Sequence, residues 1–215
     1  MVHNLGSYNS IVNQFVAEIR DVQIQKDRMR FRKNLERLGE IFAYEISKTL
    51  PYQEREVVTP LGIATVPVLQ NYPIVGTILR AGLPLHYGLL NYFDQADNAF
   101  ISAYRRHHKD GSFDIKLEYV GSPALHDREL ILCDPMLATG SSIVMTYKAL
   151  MEKGTPRHTH IVCALASTIG VEYVKRNLPT NVTIWAAAID DELTAQSYIV
   201  PGLGDAGDLA FGSKL

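Results

Sequence analysis

Leu130-Ile131-Leu132-Cys133-Asp134-Pro135-Met136-Leu137-Ala138-Thr139-Gly140-Ser141-Ser142 is the stretch on which the reading of this chain turns. Four apolar residues run into one acid, a turn of small and hydroxyl-bearing residues follows, and a helix then opens. Such a loop offers backbone N–H groups and Thr/Ser hydroxyls to an anion at a helix N-terminus, where the dipole also favours negative charge. The acid at the strand tip is placed for another task, accepting hydrogen bonds from sugar hydroxyls. One loop can therefore hold a sugar phosphate at both ends.

Outward from this stretch, strands and helices alternate. Apolar runs at Ile74–Leu79, Ala99–Tyr104, Glu129–Cys133, His160–Ala166 and Val182–Ile189 read as buried strands. Leu83–Phe93, Ser141–Glu152 and Val171–Asn177 read as the helices between them. This alternation predicts an α/β fold: an open, mostly parallel central sheet flanked by helices. In such sheets ligands sit beyond the C-terminal strand ends. Arg80, Arg105, Asp134 and Asp190 are each expected directly after a strand, so polar groups converge on one sheet edge. Upstream, residues 9–20 read as a helix with Ile11, Phe15 and Ile19 on one face. In a longer helix from Lys26 to Thr49, Phe31, Leu35, Leu38, Phe42 and Ile46 form one stripe. Glu56–Thr59 and Ile63–Val68 flank a Pro60-Leu61-Gly62 turn and predict a β-hairpin arm. Residues 106–125 read as irregular, with a short strand at Ile115–Tyr119. The whole is expected to be a single domain over 1–215: N-terminal helices 9–50, arm 56–68, core 73–189 and a tail 190–212.

Composition narrows the function classes. The 215 residues carry 21 Lys+Arg against 23 Asp+Glu, a net charge of -2, where a nucleic-acid binder is more often basic. Hydrophobic content of 47% and charged content of 20% describe an ordinary globule. Met1-Val2-His3-Asn4 does not open a signal peptide, and no apolar run reaches the roughly 18 residues that span a bilayer. A cytoplasmic protein is expected, without membrane or nucleic-acid partners. Cys133 and Cys163 lie in apolar runs and read as buried reduced thiols. His158-x-His160 has no carboxylate or Cys beside it in sequence and reads as structural, as does the lone Trp185.

Two further segments carry chemistry. In Ile78-Leu79-Arg80-Ala81-Gly82-Leu83-Pro84, an Arg at a strand end precedes small residues at a helix start, which lets backbone approach an anion. In Tyr198-Ile199-Val200-Pro201-Gly202-Leu203-Gly204-Asp205-Ala206-Gly207-Asp208, Gly and Pro impose an irregular loop with accessible backbone. Amide donors and carbonyl acceptors of such a loop can recognise a flat heterocycle, with Tyr198 or Ile199 packed on its face.

Together these segments resemble the signatures of the uracil phosphoribosyltransferases. Asp134-Pro135-Met136-Leu137-Ala138-Thr139-Gly140 is similar to their phosphoribosyl-diphosphate (PRPP) loop, including the Asp-Pro that marks the uracil branch. The other two segments match in the same order, and the resemblance covers roughly residues 30–212. It implies a type I phosphoribosyltransferase fold with a base-binding hood made by the tail. It also implies transfer of the 5-phosphoribosyl group from PRPP to uracil N1, giving UMP and pyrophosphate.

The resemblance assigns roles by position. Arg80 and Arg105 would contact PRPP, with a non-proline cis peptide in the Arg80 turn. Asp134 would bind the ribose hydroxyls, and Pro135, Met136, Leu137, Ala138, Thr139, Gly140, Ser141 and Ser142 complete the PRPP loop. Tyr198, Ile199, Gly204, Asp205 and Ala206 would read uracil, and Asp205 would also touch PRPP or its metal. Asp134, Arg105 and Asp205 are the catalytic candidates. Mg2+ is the expected cofactor, held mainly by PRPP oxygens and water rather than by a protein cage. A homodimer or homotetramer is expected, with GTP a candidate effector. Ser141 stands where many relatives have Gly, which would either loosen the loop or add a hydroxyl contact. Arg105-Arg106-His107-His108-Lys109 is more basic than the family pattern and reads either as a solvated loop or as part of a closing lid over 106–118. The alternative reading is a phosphoribosyltransferase-fold regulator of pyrimidine genes that binds RNA or nucleotides with little catalysis.

Overall fold

The computed structural model describes residues 1–107 and 113–213, with the side chains of 103–107 and 113–116 outside the description. Chain order is β1 (Val2–Asn4), α1 (Ile11–Arg20), α2 (Arg28–Ser47), β2 (Tyr52–Thr59), β3 (Gly62–Leu69), β4 (Ile74–Leu79), α3 (Leu83–Leu90), β5 (Asp97–His107) and β6 (Phe113–Gly121). Then come β7 (Glu129–Cys133), β8 (Met136–Leu137), α4 (Ser141–Leu150), β9 (His158–Ser167), α5 (Thr168–Asn177), β10 (Val182–Asp190), β11 (Glu192–Leu193), β12 (Ile199–Val200) and α6 (Ala206–Phe211).

The core strands read as apolar runs because both of their faces are covered. Every residue of β7 after Glu129 is buried, as is every residue of β9 after His158. The eight-stranded sheet runs β1-β10-β9-β7-β4-β5-β6, with β8 pairing on β9. Neighbours are parallel except β5 and β6, which are antiparallel. One face is packed by α1, α2, α3 and α6, through Ile19, Phe42, Leu85 and Ala210 among others. The other is packed by α4 and α5, through Ile143, Tyr147, Val171 and Val174.

From β4 the chain crosses on the first face to β5; from β7 it crosses on the second face to β9, in the opposite direction. The order therefore reverses between β4 and β7, and a crevice opens beyond their C-terminal ends. Arg80 and Asp134 stand at that point.

Helix α2 follows its sequence stripe closely. Phe31, Leu35, Leu38, Phe42 and Ile46 are all buried, and Asp27 Oδ1 accepts from the Arg30 N–H at the N-terminus. Each such burial is worth about 1.5–3 kcal/mol relative to exposure. Helix α1 departs from expectation. Ile19 is buried and Phe15 packs against the same core, together with Val12 and Val16, while Ile11 is 58% exposed. Ser10 and Asn13 form a reciprocal capping box around the first turn, so Ile11 opens the helix at its solvent end.

Other expectations shift as well. The arm pairs from Tyr52↔Leu69 to Thr59↔Gly62, longer at both ends than predicted. Helix α3 stops at Leu90, before Phe93. The short strand expected at Ile115–Tyr119 is part of a longer β6, and antiparallel pairing with it extends β5 to His107. Residues 108–112 of the expected lid lie outside the described residues. Strand β1 and helix α6 had no counterpart in the sequence reading.

The burial pattern sets a testable contrast. Ile19→Ala should lower the unfolding free energy by about 2–5 kcal/mol, and Ile11→Ala by under about 0.5 kcal/mol. Urea unfolding followed by circular dichroism measures both.

Candidate active site

The loop after β7 is fixed before it reaches the helix. The Asp134 N–H donates to the Val162 carbonyl at 3.0 Å, and the Leu165 N–H donates to the Pro135 carbonyl at 2.9 Å. Met136 and Leu137 then pair beside Leu165 and Ala166 as β8. The Met136 N–H donates to Asp134 Oδ1 at 3.3 Å, which orients the carboxylate at the strand tip. Ser167 Oγ donates to the Ala138 carbonyl, closing the far side of the loop.

Gly140 has φ 82 and ψ −11, the left-handed region, and leads directly into α4. Gly140, as the N-cap, has no side chain with which to cap this helix. The first N–H groups of a helix have no partners within it, so those beyond Ser141 carry donors and the positive dipole end toward any anion. A cavity of about 20 Å³ lies there, lined by Met136, Leu137, Ala138, Thr139, Gly140, Ser142 and Ile143. Ser141 is the first helical residue, so its position does not need a glycine conformation. Thr139 Oγ1 lies 3.2 Å from Ser141 Oγ and accepts from the Ser141 N–H at 3.3 Å, which tightens the turn.

The Arg80 turn packs against this loop. The Leu79–Arg80 peptide is cis. The Cys133 thiol donates to the Gly82 carbonyl at 3.8 Å, joining the end of β7 to the start of α3. Arg80 Nη2 donates to the Gly212 carbonyl at 3.0 Å and lies 3.5 Å from Asp208 Oδ1. That ion pair is well exposed and is worth at most about 1 kcal/mol. Arg80 Nε, by contrast, is buried without a hydrogen-bond partner.

The tail returns over this edge. Arg32 Nη1 donates to the Ala210 carbonyl at 2.7 Å, and Asp205 Oδ1 accepts from the Asp208 N–H at 2.9 Å to open α6. Ile199 and Ala206 bury their side chains in the core, each 3% exposed, so what they can present to a ligand is backbone. Gly204 and Asp205 are exposed. Tyr198 is 43% exposed, and its backbone N–H and carbonyl are taken by Thr194.

The fold thus brings together the Arg80 turn, the Asp134–Ser142 loop and the tail. Two placements differ from expectation. Arg105 lies inside β5, opposite Ile115 of β6, rather than after the strand, because pairing with β6 prolongs β5 beyond Tyr104. Asp190 is the last residue of β10 rather than the first after it. A cavity of about 420 Å³ lies at the opposite strand ends, lined by His3, Glu129, His158, His160 and Trp185 among others. Glu129 Oε2 sits 3.6 Å from His160 Nε2, a carboxylate neighbour that sequence distance hid. Among the described residues no group of three or more His, Cys, Asp or Glu could hold a metal ion.

Burial pushes the Cys133 thiol up to about 12, and it pushes the Cys163 thiol up as well. Thiolate is the reactive form. Iodoacetamide at pH 8 should therefore leave both cysteines unmodified in the folded protein and label both in urea, as read by intact mass. Rapid labelling of the folded chain would contradict this packing.

Comparison with known proteins agrees with this geometry. The uracil phosphoribosyltransferase family matches residues 7–213. The uracil phosphoribosyltransferase of Porphyromonas gingivalis is 56% identical over 214 residues, covering 100% of this chain and 99% of its own. Among solved structures, the AQ2163 protein of Aquifex aeolicus superposes with a TM-score of 0.87 at 28% identity, covering 99% of this chain and 98% of its own. A hypoxanthine phosphoribosyltransferase of Staphylococcus aureus shares the fold, with a TM-score of 0.51 at 12% identity over 87% of this chain and 84% of its own. A family match over residues 7–213 and a 56% identical relative spanning the whole chain show that the chain belongs to the uracil phosphoribosyltransferase family.

Proposed function

We propose that this chain transfers the 5-phosphoribosyl group of PRPP to N1 of uracil, releasing pyrophosphate and forming UMP. The observation that carries the reading is the Asp134–Ser142 loop at the reversal between β4 and β7. A 5′-phosphate docks on the α4 N-terminus, and the Asp134 carboxylate, already turned by the Met136 N–H, accepts from the ribose hydroxyls. Arg80 faces the pyrophosphate. Its buried, unpartnered Nε supports this role, since a buried donor without an acceptor is costly. Arg105, whose side chain lies outside the described part of the structure, is the second arginine of this proposal on the family resemblance.

In the reaction the N1–C1 bond forms and the C1–oxygen bond to pyrophosphate breaks, with the N1 proton released. Positive charge develops on the sugar, so the protein's contribution is placement and electrostatics rather than a covalent intermediate. The Asp134 carboxylate stabilises that charge, and the two arginines stabilise the departing one. Backbone groups of Ile199, Gly204, Asp205 and Ala206 read the base.

Mg2+ fits as a companion of the substrate. A hard cation prefers oxygen donors and retains water. With no protein cage among the described residues, the exposed Asp205 carboxylate and PRPP oxygens would hold it. Bound there, it would neutralise pyrophosphate charge. The two buried free thiols support a reducing, cytoplasmic setting.

The test is pyrophosphate release from PRPP and Mg2+ with each nucleobase in turn; uracil should be preferred, and absence of UMP sinks the reading. Arg105→Ala and Asp134→Asn should each lower kcat/KM by about 10²-fold, the scale of losing one preorganised charge contact. Near-wild-type rates in both would overturn the assigned roles.

The arm supports an oligomer. β2 and β3 form a sheet of their own, and Val58, Leu61 and Ile63 on it are 85%, 100% and 68% exposed. Two isolated strands are marginal in water, and an apolar surface on them calls for cover. Light scattering should find a dimer or tetramer, and Leu61→Asp with Ile63→Asp should shift it toward monomer; a wild-type monomer would refute this.

A further inference from the structure

We propose that Arg20, at the C-terminal end of α1, is a positioning residue for base recognition, acting through Asp190 on the turn at Gly202. The proposal rests on the functional reading above and assigns a specificity role to residues outside the three motifs. Arg20 Nη2 donates to Asp190 Oδ1 at 2.7 Å, and Arg20 Nη1 donates to Asp190 Oδ2 at 2.8 Å and to the Gly202 carbonyl at 3.0 Å. The Gly202 N–H in turn donates to Asp190 Oδ2 at 3.0 Å. One ion pair thus holds both backbone polar groups of a single loop residue. The pair is largely buried, with side chains 22% and 8% exposed.

Gly202 is where the base-reading segment bends. Its φ is +56, and a Cβ there would run into the Ile199 carbonyl. The turn therefore folds Gly202 back onto Ile199, and Gly204, Asp205 and Ala206 follow directly. Two kinds of anchor set the position of this stretch. Ile199 and Leu203 are buried at 3% and 6% exposure. Apolar burial fixes depth but is non-directional. The Arg20 fork, with fixed planar geometry, sets orientation. Recognition through backbone donors and acceptors depends on orientation, because a hydrogen bond weakens steeply as its angle closes. Arg20 and Asp190 bond to Gly202 rather than to the Asp134–Ser142 loop, so their effect should fall first on uracil.

The test is steady-state kinetics of Arg20→Lys and Asp190→Asn in the full chain, with both substrates varied. Lysine keeps the charge but loses the fork; asparagine keeps size and one acceptor, and it decides the matter if Arg20→Lys does not fold. The control is Arg157→Ala, which removes a two-point Arg–Asp pair with Asp127 at the other end of the sheet. KM for uracil should rise about tenfold or more in Arg20→Lys and Asp190→Asn, with KM for PRPP and kcat within about twofold, the signature of lost ground-state binding. Arg157→Ala should leave KM for uracil unchanged. A merely structural tie would lower melting temperature without this split. An unchanged KM for uracil, or a parallel rise for both substrates, overturns the proposal. A wild-type chain that forms no UMP overturns the functional reading first, and this one with it.

Discussion

Parallel pairing of Val75 with Ile131 and of Thr77 with Cys133 sets the ends of β4 and β7 side by side. The crossovers leave these two strands on opposite faces and in opposite directions, so no connection covers the gap beyond their tips. Arg80 and Asp134 stand at the two tips that border it. The Cys133 thiol ties it shut from below by donating to the Gly82 carbonyl, and the raised affinity of that buried sulfur for its proton keeps the donor in place. A thiolate there would be a buried charge facing a carbonyl oxygen, which the low-dielectric surroundings disfavour.

The phosphate loop and the tail hold their shapes in different ways. The loop borrows the sheet: Asp134 and Pro135 bond to β9, and Met136–Leu137 form a strand on it. Only the last residues before α4 leave the ladder, and there Thr139 and Ser141 bond to each other. The tail has little sheet of its own beyond the short pairing of Leu193 with Ile199. It is held by side chains from elsewhere, with Arg32, Arg80 and Arg20 each donating to a tail carbonyl.

This difference explains what was legible in the sequence. Ile74–Leu79 and Glu129–Cys133 were read to the residue, because strands buried on both faces are continuous apolar runs between turn signals. The α2 stripe was equally plain. In α1 Phe15 and Ile19 pack as their spacing implies, but Ile11 at the solvent end and Val12 and Val16 on the core face are told apart only by the tertiary partner. β6 shows in the sequence only as a short strand at Ile115–Tyr119, because pairing on one edge tolerates polar residues. β1 is three residues long and gains its structure from β10. The site motifs were visible because each is local. Arg20, by contrast, lies 170 positions from Asp190, and nothing in a helix-terminal arginine announces its partner. The same holds for Glu129 beside His160.

The Arg20–Asp190 pair also shows why charges are retained where apolar groups would pack as well. Desolvation of two buried ions offsets most of their attraction, so such a pair is a weak source of stability. Here the pair has a second task. Gly202 is buried and lies outside any strand or helix, so its N–H and carbonyl have no ladder partner. Leaving either unsatisfied would cost about 1–3 kcal/mol. An apolar replacement of Arg20 and Asp190 would fill the same space and strand both groups. The ion pair takes the part that a neighbouring strand takes for the phosphate loop, so the irregular turn can be buried and still keep one orientation.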